Sequence, residues 1–177
     1  RKYKILFKVI CNDANKVIPP KGVDSEIIEW SLDKYEAVIK TFDIGLCPTY
    51  PTLSEHSDLF FAFRDSNRVR SLLAYGIPSV CSPLFESCWQ LKNDIHALFS
   101  LSPHSWKKNL ERLIIDENER IRIGQNGYNL IKNHYTKEIM VKKFEKMIQL
   151  SKKNINISSD HALMDLKVLS TIKSPAT

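Results

Sequence analysis

The run from Asn67 to Ser82, NRVRSLLAYGIPSVCS, changes period in its middle, and that change limits the folds open to the chain. Val69, Leu72 and Leu73 fall at i, i+3 and i+4, which is one face of a helix. Gly76 suits the left-handed residue that closes a helix. Pro78 stops the helical pattern yet is tolerable at the first position of a strand, here Ser79-Val80-Cys81-Ser82. A helix handed straight to an apolar strand is half of an α/β unit, and the question is whether the rest of the chain repeats it.

It does. Tyr3–Cys11 reads as a mostly apolar strand ended by the turn formers Asn12, Asp13 and Asn15, and Pro19-Pro20-Lys21-Gly22 marks a loop. A short strand is predicted over 26–30, then Ser31-Leu32-Asp33 opens a helix over 34–41. Asp43–Pro48 is the next apolar run, and Ile95–Phe99 is a final strand. Helical spacing returns over 106–115, 117–134 and 137–152. Apolar strands alternating with amphipathic helices predict an α/β, Rossmann-like domain with a mostly parallel sheet flanked by helices, and a helical C-terminus. In such sheets ligands bind beyond the carboxyl ends of the strands. The loops predicted there are Asn12–Ser25, Ser31–Asp33 and Thr49–Asn67.

At 177 residues the chain has room for one domain with an appendage, read as a domain over 1–152 and a polar tail over 153–177. Hydrophobic residues at 43% and charged residues at 26% argue against wholesale disorder. No apolar run approaches the roughly 20 residues that span a bilayer. The first residue is Arg1, and Tyr3–Cys11 lacks the layout of a signal peptide, so the chain is expected to begin inside a longer protein. Cys11, Cys47, Cys81 and Cys88 form no C-x-x-C pair, which favours buried thiols in a reducing cytoplasm over a zinc site or a disulfide framework.

The start of the central helix is the chief candidate site. With Asp65 or Ser66 as N-cap, the next backbone N–H groups have no intrahelical acceptor. Arg64 and Arg68 add full positive charges there, which makes a seat for a phosphate or diphosphate. Asn67 adds an amide able to meet a sugar hydroxyl. The simpler reading has Asp65 satisfying those donors itself, with the arginines in water or paired with acids.

At this point the chain resembles the carboxy-terminal, nucleotide-sugar-binding half of GT-B glycosyltransferases, the family 4-like (group 1) kind. The resemblance rests on EIIEWSLDKYEAVIKTFDIGLCPTYP, NRVRSLLAYGIPSVCSP and SWKKNLERLIIDENERIRIGQNGYNLIKNHYT, in that order, and covers about residues 3–150. It implies the second half of a GT-B fold lacking its first βα unit, whose strand would lie between the runs at 3–11 and 43–48. It also implies an amino-terminal domain absent from this chain. The donor diphosphate and sugar fall to Arg64, Asp65, Ser66, Asn67 and Arg68, the ribose to Ser71, and the base to Trp30 and Ser31. Many members carry two glutamates eight positions apart, where this chain has Phe63 and Ser71. A serine can still hydrogen-bond a ribose hydroxyl, but it does not offer two carboxylate acceptors.

The function so implied is transfer of a sugar from a nucleoside diphosphate sugar to a glycan or lipid-linked acceptor, in glycan biosynthesis. No metal or other cofactor is required, no catalytic residue is assigned, and this chain alone is not expected to turn over substrate. The place implied is the cytoplasm, with room for peripheral contact at the inner face of a membrane. The alternative is a non-catalytic α/β module that binds a phosphorylated ligand or a partner. A third reading starts from the net charge of +6, much of it in Lys107, Lys108, Arg112, Lys132, Lys142, Lys143 and Lys146. Such a surplus can attract nucleic acid or anionic lipid, although a solvated helix face explains it as simply, and no nucleic-acid-binding motif accompanies it.

Other candidates carry less. Glu55, His56 and Asp58 are loop residues with nothing to fix their geometry, and His96, His104, His134 and His161 share no metal-ligand spacing. Trp89 and Trp106, at helical positions, are expected to be core residues or helix-packing anchors. Neither a G-x-x-x-x-G-K-[ST] phosphate loop nor a G-x-G-x-x-G fingerprint is present, so an ATPase or a dehydrogenase has no support.

Overall fold

The computed structural model describes residues 3–49 and 65–154. Five strands and six α-helices alternate among them: β1 (Leu6–Cys11), β2 (Asp24–Glu29), α1 (Leu32–Ile39), β3 (Gly45–Cys47), α2 (Asn67–Ala74), β4 (Ser79–Cys81), α3 (Phe85–Gln90), β5 (Leu98–Phe99), α4 (Pro103–Ile115), α5 (Glu117–His134) and α6 (Lys137–Asn154). A 3₁₀ turn at Ala14–Lys16 follows β1, capped by Asp13, whose side chain accepts from the Asn15 N–H. The fold is mixed α/β, and every strand pairing is parallel.

The strands form two ladders rather than one. β1 pairs with β2 from Leu6↔Asp24 to Cys11↔Glu29, and β3, β4 and β5 form a second sheet in that order. Among the described residues no ladder joins β1 to β3.

The second sheet is covered on both faces because successive side chains on β4 point to opposite sides. Cys81 packs with Val69 and Leu73 of α2, and with Leu91 and Ala97. Val80 packs on the other side with Leu98, Leu113 and Ile123, and Trp106 leans on that cluster. A third cluster joins Ile39, Leu72 and Ile77 to Ile10 of β1.

Two glycines set the approach of helices to this core. Gly76 closes α2 at φ +72, as its place in the sequence demands. On α5, a Cβ at Gly124 would meet the carbonyl of Gly76, so α5 passes against the very turn that ends α2.

Several boundaries differ from the sequence reading. The final strand is only Leu98–Phe99, because residues 92–96 turn instead, with Asp94 at φ 65. The helix α3 has no counterpart in the sequence analysis. Six residues are too few to show a period, and its N-cap, Leu84, makes no side-chain cap. Trp89 lies on this helix and is 87% exposed, so it anchors no packing.

The chain divides into two compact units, 1–132 and 133–177. In the second, Thr136 precedes α6; its hydroxyl accepts from Ile139 N–H at 3.4 Å and its carbonyl accepts from Met140 N–H. The Glu138 carboxyl is held below its usual range by its own backbone N–H and by the Thr136 hydroxyl. The tail expected over 153–177 lies, from residue 155 on, outside the described residues. No helix of the described residues is long and apolar enough to cross a membrane.

Candidate functional site

The strands β3 and β4 end side by side, with Cys47 opposite Cys81. Beyond them Ser82 ties the two exits together: its hydroxyl accepts from Thr49 N–H at 2.9 Å and lies 3.1 Å from the Thr49 carbonyl. Its own N–H donates to the Cys47 carbonyl at 3.2 Å. The amino end of α2 opens onto the same place. Together these elements line a cleft of about 40 Å³ that includes Cys47, Thr49, Asp65, Ser66, Arg68 and Ser82.

The helix start is not bare. Ser66 is its N-cap and is buried, but its side chain makes no cap hydrogen bond and instead lies 3.5 Å from Gln90 Oε1. The Ser66 N–H donates to Glu86 Oε2 at 2.5 Å. Asp65 accepts from the Asn67 N–H at 3.3 Å and from the Asn67 side chain at 2.8 Å. Arg70 pairs with Glu86 at 3.3 Å and donates to Gln90 and to Asn67. Two carboxylates therefore already sit where an anion would sit. Among the described residues, Arg68 is an exposed cation of the cleft lining, and it stands in the first turn of α2, where helix N–H groups have no intrahelical acceptor.

The thiols on the floor are chemically quiet. Burial pushes the Cys47 thiol up to about 12, with the nearby Arg68 charge pulling the other way. Burial also raises Cys81, and the neighbouring Cys47 and Cys88 add to the shift. Neither is a thiolate near neutrality, so neither is poised as a nucleophile there. Among the described residues no cluster of three or more His, Cys, Asp or Glu side chains could hold a metal ion.

Of the residues singled out in the sequence, Asp65, Ser66 and Arg68 meet at this cleft, while Asn67 is turned to Asp65 and Arg70. Ser71 lies a turn further along α2, half-buried and outside the lining. Trp30 and Ser31 follow β2, in the other ladder; Trp30 donates its N–H to the Cys11 carbonyl at 2.7 Å and Ser31 is the N-cap of α1. Neither lines the cleft. Arg64 and Phe63, with Glu55, His56 and Asp58, lie outside the described residues. Sequence reasoning missed Glu86, Gln90 and Arg70, which govern the helix start. The available signal was Glu86 three residues after Pro83, an acid in the first turn of a helix.

No protein-family model matches the chain, and no curated protein matches it. Among solved structures, the chain is similar to the C-terminal domain of a glycosyl transferase group 1 family protein, LpcC, from Francisella tularensis. The identity is 20% and the TM-score 0.48, over 66% of this chain and 57% of that chain. The chain thus spans under two thirds of that neighbour's length.

Proposed function

We propose that this chain is the donor-side half of a glycosyltransferase, seating the diphosphate of a nucleotide sugar at the start of α2. The observation that supports this reading is Arg68, an exposed cation in the first turn of α2 that lines a cleft beyond the carboxyl ends of β3 and β4. A guanidinium beside the amino end of a helix would stabilise charge building on a departing diphosphate. Glu86 and Asp65 compete for that position, so the ligand must displace them or sit beyond them, against Arg68. The sugar, the acceptor and the amino-terminal domain belong to the same proposal, as do the roles of Arg64, Asn67, Ser71, Trp30 and Ser31.

A second reading has a specific observation in its favour. Phe63 and Ser71 stand where the resemblance calls for a pair of glutamates, and resident carboxylates already occupy two donors of the helix start. A non-catalytic module that binds a simpler phosphorylated ligand accounts for both.

Calorimetry on the protein with UDP, GDP and inorganic phosphate separates them. Donor binding predicts tighter binding of a diphosphate nucleotide than of phosphate, and a loss of about tenfold or more for Arg68→Ala. Unchanged nucleotide affinity in that variant removes Arg68 from the site. Equal affinity for phosphate and nucleotide favours the simpler module.

A further inference from the structure

Cys47 and Cys81 are register partners on the neighbouring parallel strands β3 and β4. Residues opposed in this way send their side chains to the same face of a sheet, and both meet one cluster, with Val69 and Leu73 of α2. Both also line the cleft. Seating a diphosphate uses neither thiol.

The pair suits a soft metal ion better than a disulfide. Side chains that leave one face in parallel keep roughly the strand spacing, about 4.8 Å. A disulfide needs Cβ atoms about 3.8 Å apart. One ion with two thiolate bonds of about 2.3 Å each spans roughly the strand spacing instead. Among the described residues no third His, Cys, Asp or Glu completes a cluster, so a four-coordinate zinc site has too few ligands. Two sulfurs alone suit a cation that accepts linear coordination, and copper(I) is a soft ion that thiolates select.

Charge narrows the choice further. Copper(I) entering the pair breaks two S–H bonds, forms two S–Cu bonds and releases two protons to solvent, with no change of oxidation state. The bis-thiolate product is an anion. Arg68 stands in the same lining, near enough for its charge to act on the Cys47 sulfur, and the amino end of α2 adds partial positive charge. A divalent ion would give a neutral product that gains little from Arg68. We infer that Cys47 and Cys81 form a two-coordinate copper(I) site on the floor of the cleft. The inference does not rest on nucleotide-sugar binding, since it needs only the register of β3 and β4 and the charge of Arg68.

The test is an anaerobic competition between the full chain and bicinchoninate for copper(I), read from the colour of the chelate. A Cys11→Ser, Cys88→Ser background leaves the pair as the only thiols, and it is expected to take one copper per chain. Cys47→Ser or Cys81→Ser in that background abolishes the uptake, and Arg68→Gln weakens it about tenfold. Zinc(II) does not displace the copper. X-ray absorption on the copper-loaded background protein shows two sulfur neighbours, a readout that needs no change to the buried pair. Uptake that survives Cys47→Ser, uptake lost with Cys88→Ser alone, a copper shell containing nitrogen or oxygen, or zinc competing on equal terms overturns the inference. So does a chain that leaves the copper with the chelator.

Discussion

In the three-stranded sheet every residue of β4 is buried, with Val80 covered from one side and Cys81 from the other. In the two-stranded ladder no residue of β1 or β2 is fully buried, although the pairing is equally parallel and twice as long per strand. Parallel strands are stable when both faces are covered, and short strands suffice when they are. β4 needs only three residues because α2 lies on one face and α4 and α5 on the other. β1 and β2 run to six residues each and still present Leu6, Glu26 and Glu29 to water, with Ile10 their link to a buried cluster. Length of ladder does not substitute for cover. The candidate cleft sits at the finished sheet, with Arg68 in its lining.

Mutations that attack this contrast come first. Leu73→Ala, at a fully buried position of α2, is expected to cost about 3 kcal/mol of stability in urea unfolding. Val9→Ala, half-buried on β1, is expected to cost under about 1 kcal/mol. Equal losses would mean that the two ladders are supported alike and would break the comparison.

Two glycines sharpen it. Gly124→Ala drives a methyl into the backbone carbonyl of Gly76, which cannot rotate away, and is expected to cost about 2 kcal/mol by pushing α5 off the turn. Gly76→Ala meets no atom within 4 Å, so its cost is the left-handed conformation alone, about 1 kcal/mol. If the second loss exceeded the first, the close approach of α5 would not be what holds the finished sheet.

The last effect is in pH, and near neutrality it is read as thiol reactivity rather than as stability. Cys47 is raised from 9.0 to about 12 in the folded state, so the folded protein holds its proton more tightly than the unfolded chain. The stability tied to it is whole below pH 9.0 and drains away as pH rises towards about 12. Thiol alkylation at neutral pH should therefore mark exposed Cys88 well before Cys47 or Cys81. Rapid labelling of Cys47 would show that the floor of the cleft opens.

Much of the architecture was legible because it is written in local periods. The switch at Gly76-Ile77-Pro78 gave α2, its left-handed close and β4, and the apolar runs gave β1, β2 and β3 to within two or three residues. The helix α3 was not legible, since a six-residue helix shows no period. Nor was the helix start: Arg64 and Arg68 read as its charges, whereas Glu86, twenty residues further on, reaches the Ser66 N–H, and Arg70 reaches Glu86.

By itself, then, the sequence determined which segments become strands and helices, that the strands run parallel, and that an arginine stands in the first turn of α2. These follow from side-chain spacing and backbone preference, which act over a few residues. Only the tertiary structure decided that pairing splits into two ladders, that Trp89 faces water, and that acids from α3 and from Asp65 fill part of the helix start. Those depend on which distant groups come within hydrogen-bond reach once α2, α3 and β4 pack, and no local period encodes that.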